Sequence, residues 1–327
     1  MDGETMKAIV VSELGGPEQL KLEEVPDPTP GEGEAVVEVS AAGLNFIDTY
    51  HRTGLYEVPL PFTPGTEGAG KVLEVGSGVE LVSPGDRVGW ATGLGSYAEK
   101  VVVPADKLIP IPDDVSDDTA IALFIQGLTA HYLATDTFPL DDDSTCLIHA
   151  GAGGVGLLLT QIARIKGARV ITTVGTVEKA EISRSAGASE VILYRDVDFA
   201  TEVERLIGPN AVDVVYDGVG AATFMQGLDV LRPRGMMVTF GNASGPVPEI
   251  SPLLLARKGS VFLTRPTLAH YVATRDELIA RANDLFGWVR EGSLEVEIGL
   301  EFDLAEARQA HEALEARKTT GKVLLRP

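Results

Sequence analysis

Cysteine is almost absent: Cys146 is the only one in 327 residues. One thiol cannot close an internal disulfide, and without histidines clustered near it cannot build a zinc site. Cys146 therefore reads as an inert strand residue. Long apolar runs are missing as well. No window approaches the roughly 18 consecutive apolar residues of a membrane span. The N-terminus lacks the charged, apolar, then small pattern of a secretory signal. The expectation is a soluble cytoplasmic protein without membrane insertion. Positive charge is scarce, with 27 basic residues against 48 acidic ones and a net charge of −21. Such a surface repels nucleic acid and anionic membrane, so any anionic ligand has to be held by a local basic cluster. The histidines, His51, His131, His149, His270 and His311, show neither metal-ligand spacing nor pairing with a nucleophile pattern. They are expected to be structural, His149 as a buried strand-end histidine satisfied by backbone.

What is present is apolar residue, 44% of a chain longer than one core usually serves. Two domains, or one inserted into the other, are expected. Short β-branched runs at Lys7 to Val11 and Ala35 to Val39 are separated by Val25-Pro-Asp-Pro-Thr-Pro-Gly-Glu-Gly33, which punctuates rather than continues structure. Gly70 to Val75, Asp86 to Trp90 and Tyr97 to Val103 continue the pattern, which suits a small, partly open β-barrel. Beyond Asp114 the texture changes. Asp117 to Ala134 reads as helix, and strands then alternate with helices at the pitch of βαβ units. The expected strands are Thr145 to His149, Arg169 to Val174, Glu190 to Tyr194, Val212 to Tyr216, Met236 to Phe240 and Val261 to Thr264, matching a doubly wound parallel Rossmann sheet in an α/β chain. The tail, a helical Leu304 to Leu314 and a strand at Gly321 to Leu325, is expected to return to the first domain.

The densest chemical signal is Ala150-Gly-Ala-Gly-Gly-Val-Gly156, between an apolar strand and an apolar helix. A strand ending in a glycine turn that opens a helix offers backbone N–H groups and the positive end of a helix dipole to an anion, usually a pyrophosphate. An acid about 20 residues on, at the end of the next strand, would bind a ribose 2′-hydroxyl, whereas a cation accommodates a 2′-phosphate. Here that strand runs into Val174-Gly-Thr-Val-Glu-Lys179, with Gly175 and Thr176 in place of the acid, Lys179 one helical turn beyond and Tyr194 ending the following strand. This favours NADPH; the alternative is that Lys179 is a solvated helix lysine beside Glu178.

These residues, with Gly43-Leu-Asn-Phe-Ile-Asp-Thr-Tyr50, Arg52-Thr-Gly-Leu-Tyr56, Pro64-Gly-Thr-Glu-Gly-Ala-Gly70, Gly127-Leu-Thr129, Val215-Tyr-Asp217, Phe240-Gly-Asn242 and Gly321-Lys-Val-Leu-Leu325, run the length of the chain. Together they resemble the quinone oxidoreductases of the medium-chain dehydrogenase/reductase superfamily, the group that includes zeta-crystallin. The resemblance implies a GroES-like substrate domain from 1–125 and 268–327 around a Rossmann domain from 126–267, with NADPH in the cleft between them. It also implies a homodimer, often formed through the outer strands of the Rossmann sheet, with Val261 to Thr264 as the edge. Zinc alcohol dehydrogenases of the same superfamily have a cysteine where Asn45 stands and a histidine where Thr66 stands, and this chain also lacks their cysteine lobe. Without the metal an alcoholate loses its Lewis acid, while an electron-poor quinone remains reducible.

By the same resemblance, Asn45 faces the nicotinamide and ribose, and Phe46, Ile47 and Asp48 line the nicotinamide end. Tyr50 and Tyr56 edge the quinone pocket, where a ring can stack on a planar acceptor and a hydroxyl can reach its carbonyl oxygen; the alternative is two core tyrosines. Thr129, Tyr132 and the loop Gly241, Asn242, Ala243 and Ser244 match cofactor-contacting positions. Gly154 and Val155 offer N–H groups to the pyrophosphate, Lys179 and Tyr194 bind the 2′-phosphate, and Arg317 adds a contact. No catalytic acid stands out, and water can supply the protons. Two rivals remain at this point: an NADPH-dependent enone, alkenal or enoyl-thioester reductase, and a non-enzymatic crystallin-like or RNA-binding role, the latter disfavoured by the acidic charge.

Overall fold

A computed structural model describes residues 4–327. The chain forms two compact units, one drawing on residues up to Ile125 together with Val272–Gly287 and Val296–Pro327, the other on Gln126–Tyr271 and Trp288–Glu295.

The second unit holds six parallel strands in the spatial order Glu190–Leu193, Arg169–Val174, Thr145–His149, Val212–Asp217, Leu231–Thr239, Phe262–Thr264. In chain order this is 3-2-1-4-5-6, the doubly wound arrangement whose switch point lies beside the first strand. Thr145–His149 is central, so both its faces are covered, and its run Cys-Leu-Ile is apolar without alternation. Leu147, Ile171, Val215, Phe224, Leu228 and Met237 form the core on one side of the sheet. Burial pushes the Cys146 thiol up to about 12, consistent with an inert strand residue. The fifth strand begins earlier than Met236, at Leu231, and its pairing slips between Val212 and Val214, close to Pro233, which has no N–H to give a ladder.

The expected long helix at 117–134 is broken. Asp117–Leu123 is α-helical, and wide π-type turns follow at Phe124–Leu128 and Leu133–Thr137, flanking Thr129–Tyr132. Two hydrogen bonds account for the breaks. The Ile125 N–H donates to the Glu67 carboxylate at 2.7 Å instead of to the helix ladder, and the Tyr216 hydroxyl donates to the Leu133 carbonyl at 3.0 Å.

In the first unit, Glu34–Leu44 is the hub of a seven-stranded sheet. It pairs antiparallel with Gly68–Val75, with Lys100–Pro104 and, through Val323 opposite Leu44, with the C-terminal strand Lys322–Arg326. A separate hairpin joins Thr5–Val10 to Lys21–Pro26. Val37, Val72, Val88, Trp90 and Val103 fill one core; Ile9, Leu44, Tyr97, Ala307 and Leu325 fill another. The segment 288–295 clusters with the second unit, whereas the sequence boundary placed all of 268–327 with the first. Gln161 exchanges two hydrogen bonds with the backbone of Glu295, at 2.9 and 2.8 Å, and fixes it there.

Candidate functional site

In the second unit the glycine turn is built as its spacing requires. Ala150 adopts φ 55, so the chain reverses directly after His149. A Cβ on Gly151 would lie 2.5 Å from Thr172 Cβ, and one on Gly156 would lie 2.3 Å from the Ala150 carbonyl oxygen. These two glycines thus serve helix-to-strand and turn-to-helix packing. The helix Gly154–Ile165 starts from Gly153, which has no side chain to cap it. Its first N–H groups, Gly154 and Val155 among them, sit at the positive end of a helix dipole. Gln126 lies against this first turn: a Cβ on Gly154 would fall 2.0 Å from its Oε1. Nothing local in the sequence announces Gln126, which is 28 positions away.

At the end of the second strand, a Cβ on Gly175 would be 2.8 Å from the Tyr194 hydroxyl and 3.3 Å from Arg195 Nε. The position where an acid would stand is therefore bare backbone beneath a phenol and a guanidinium. Thr176 caps the helix Val177–Ser185, accepting from the Lys179 N–H at 3.3 Å, and Lys179 is half-buried in its first turn. Arg195 is an exposed cation that the sequence reading passed over, although it adjoins Tyr194.

The fifth strand leads into Gly241 to Ser244, packed on the loop after the fourth. A Cβ on Gly241 would meet the Gly218 carbonyl oxygen at 2.3 Å. Ser244 Oγ donates to the Val219 carbonyl at 2.8 Å and accepts from the Ala222 N–H at 3.0 Å. The loop Ala243–Gly245 is tied by a bridge, and Asn242 pairs with Arg265 and the Gly241 carbonyl, both at 3.1 Å. Asp217 is committed to this loop, accepting from the Val219 and Gly220 N–H groups and from Thr223. Thr129 and Tyr132 are buried; Tyr132 stacks on Tyr271 with centroids 4.1 Å apart, and burial holds its phenol well above the usual range. His149 is buried and kept neutral by desolvation. Its Nδ1 meets the Thr173 hydroxyl at 2.9 Å rather than a backbone group, and its Nε2 has no partner. The expected backbone partner is taken up by sheet pairing, which leaves the neighbouring side chain.

The first unit builds a different kind of site. Asn45 caps the helix Phe46–Thr53 and forms a capping box with Asp48, whose carboxylate accepts from the Asn45 N–H at 2.8 Å. Its amide Nδ2 donates to Glu67 Oε1 at 2.5 Å, and its Oδ1 accepts from Lys322 Nζ at 3.1 Å. Lys322 and Glu67 form an ion pair whose side chains are both 0% exposed. Asp48 is also fully buried, accepting from the Tyr97 hydroxyl at 3.1 Å and from Thr66 at 3.4 Å. Any part it plays toward a cofactor therefore passes through Asn45. Burial pushes its carboxyl up to about 7, against the lowering effect of its hydrogen bonds.

Behind Asp48 the donors run in one direction. Arg52 can only donate, so His311 Nδ1 accepts from it at 2.8 Å. Nε2 then carries the proton and donates to Tyr97 at 3.3 Å, and Tyr97 donates to Asp48. Arg52 closes on Glu315 at 2.7 Å. Phe46, Tyr50 and Tyr56 make an aromatic cluster beside the cap, with Tyr50 edge-on to Tyr56 at 5.2 Å and 6.2 Å from Phe46. Ile47 is half-buried. Arg317 is exposed and sits at φ 58 just past the helix Ala307–Glu315, where it turns the chain. Among the described residues, no group of three or more His, Cys, Asp or Glu is placed to hold a metal ion.

Two family models match, the alcohol dehydrogenase GroES-like domain over residues 31–113 and the zinc-binding dehydrogenase domain over 154–281. A quinone oxidoreductase of Pseudomonas aeruginosa is 45% identical over 323 residues, 98% of this chain and 99% of that protein. Mycobacterial Rv1454c, solved in complex with NADPH, superposes with a TM-score of 0.95 at 47% identity, covering 98% of this chain and all of the other. The Escherichia coli quinone oxidoreductase, also solved with NADPH, gives 0.95 at 43% identity, covering 99% of each. With likeness at this level along both units, the chain belongs to the quinone oxidoreductase family of the medium-chain dehydrogenase/reductase superfamily.

Proposed function

We propose that this protein is an NADPH:quinone oxidoreductase that works without a metal. The observation that carries the reading is full-length likeness to quinone oxidoreductases, two of the similar structures having been solved with NADPH. The residues present fit that cofactor. The helix start at Gly154 suits a pyrophosphate. The bare Gly175, with the Tyr194 hydroxyl and Arg195 beside it and Lys179 on the next helix, suits a 2′-phosphate and offers no acid to a 2′-hydroxyl. Thr129, Tyr132 and the loop 241–244 complete the second unit's contribution in this reading, and Arg317 adds a charge from the first. When bound, NADPH supplies the reducing electrons.

The remaining work falls to positioning and desolvation. Asn45 orients the nicotinamide, Phe46 and Ile47 line that end, and the edge-on pair Tyr50 and Tyr56 offers ring faces and hydroxyls to a planar quinone. Asn45 and Thr66, at the positions of zinc ligands in metal-dependent relatives, are instead tied into the protein's own hydrogen bonds. No helix among the described residues is long and apolar enough to cross a membrane, and a single buried free thiol suits a cytoplasmic setting. The outermost strand Phe262–Thr264 is paired on one side, with Phe262 57% and Leu263 37% exposed. That edge favours a homodimer, and light scattering that gives a monomer mass would remove it.

A stopped-flow screen of NADPH oxidation across quinones, enones and enoyl thioesters, on protein analysed for zinc, tests the assignment. Quinones are expected to turn over fastest with no stoichiometric zinc. Faster reduction of an enone or enoyl thioester would replace the reaction class.

A further inference from the structure

The buried pair Lys322–Glu67 needs a reason to exist, because removing two charges from water is costly and an apolar pair of similar volume is often at least as stable. Its geometry supplies one. Lys322 can only donate and Glu67 can only accept. The Asn45 amide lies between them with Oδ1 toward the ammonium at 3.1 Å and Nδ2 toward the carboxylate at 2.5 Å. Turning the amide over would set its N–H groups against an ammonium and its oxygen against a carboxylate. One rotamer and one orientation are therefore imposed from both ends. Each clamp is itself held: Glu67 Oε2 accepts from the Ile125 N–H at 2.7 Å, and Lys322 opens a strand paired to the hub strand. Gly43 makes room, since a Cβ there would lie 2.3 Å from Glu67 Oε1 and 2.5 Å from Lys322 Cε.

We infer that Lys322 and Glu67 are positioning residues for the reaction: a buried ion pair whose task is to fix the Asn45 amide in the one orientation that serves the nicotinamide. This rests on the reading that Asn45 orients the nicotinamide, and the experiment separates the two. The neutral double variant Glu67→Gln/Lys322→Met is made in the wild-type and Asn45→Ala backgrounds. For each, kcat, NADPH affinity, the emission of bound NADPH and the thermal midpoint are measured. Asn45→Ala is expected to lower kcat by about tenfold, the scale of a lost polar contact, with NADPH affinity nearly unchanged. The double variant is expected to lower kcat to a similar extent and to shift the emission in the same way, yet to add almost nothing on top of Asn45→Ala.

If Asn45→Ala is slow while the double variant turns over at the wild-type rate, or if the two losses multiply, the inference fails and the reading of Asn45 stands. If Asn45→Ala itself keeps full turnover, both fall. Should the double variant not fold, Gly43→Ala tests the same point. It displaces both clamps without removing a charge and is expected to reproduce the kcat loss; unchanged kcat and emission there would overturn the inference.

Discussion

The two units solve the problem of holding polar groups away from water in opposite ways. In the second, the glycine turn is made of backbone: N–H groups stand at a helix start, and side chains are left out so that turn, helix and strand can pack closely. In the first, the region around Asn45 is made of side chains, with Lys322, Glu67, Asn45, Asp48, Tyr97, His311 and Arg52 all buried and each bonded to the next. A backbone site tolerates neighbours of many kinds and is spoiled by an added atom. A side-chain network tolerates no missing member, because each loss leaves a charge or a donor buried alone.

The largest expected effect follows from that asymmetry. Lys322→Met leaves Glu67 charged and without its counter-ion, and should cost about 3–5 kcal/mol of stability in chemical denaturation. A loss under about 1 kcal/mol would mean that the pair is not buried in solution and would erase the contrast.

The pH dependence sharpens it next, because Asp48 and the buried histidines respond with opposite sign. Asp48, pushed up to about 7, keeps its proton in the folded chain where the unfolded chain has lost it. Its contribution therefore makes stability fall as pH rises from about 4 to about 7, by at most roughly 1.4 kcal/mol per unit. Asp48→Asn should flatten that slope. His149, kept neutral by burial, makes stability fall as pH drops below roughly 6.5. His311, pushed down to about 3 by burial and by Arg52, adds to the same acid-side loss. Urea titrations at several pH values read both, and an Asp48→Asn curve parallel to wild type would show that the carboxyl is ionised throughout.

A glycine substitution should do the reverse of Lys322→Met, adding where that removes. In Gly156→Ala the new Cβ meets the Ala150 carbonyl oxygen at 2.3 Å, and the turn has to move. About 1–3 kcal/mol of stability and most NADPH affinity should be lost together, as calorimetry can read. Intact NADPH binding there would disconnect the turn from the cofactor. The smallest effect is expected at the rim. Lys179 is half-buried and screened, so Lys179→Ala should lower the preference for NADPH over NADH by about tenfold in kcat/KM. It should leave NADH kinetics untouched, and equal loss with both nucleotides would make Lys179 a solvated helix residue.

Legibility in the sequence divided along the same line. The glycine turn and the strands around it occupy consecutive residues, so spacing and periodicity reveal them, and Thr145–His149 and Arg169–Val174 coincide with their sequence bounds. The Asn45 network is assembled across the fold: Asn45 and Glu67 are 22 positions apart, Lys322 and Asn45 277, Tyr97 and His311 214. No local pattern carries such pairs. Two features were within reach. Asn45-Phe-Ile-Asp48 has the spacing of a capping box and could have announced the helix Phe46–Thr53, which lies between the expected strands at Ala35–Val39 and Gly70–Val75. Arg195 adjoins Tyr194, but only the folded strand end shows both converging on Gly175. The broken helix at Phe124 was out of reach, since its cause is the distant Glu67 carboxylate.

The ammonium of Lys322 also bears on what it would take to place a metal ion beside Asn45. It bonds Asn45 directly, at a position where zinc-dependent relatives carry a ligand, and Thr66 nearby is engaged with Asp48. A divalent cation placed there would face a fixed positive charge at close range. Asn45→Cys with Thr66→His would therefore recreate ligands without recreating a site, and zinc titration should show weak uptake. Removing the lysine as well, by Lys322→Met, would convert Glu67 from half of an ion pair into an anionic neighbour for the metal, and uptake should rise. A route to zinc thus has to begin at the far end of the chain, with a residue that would never itself bind the ion.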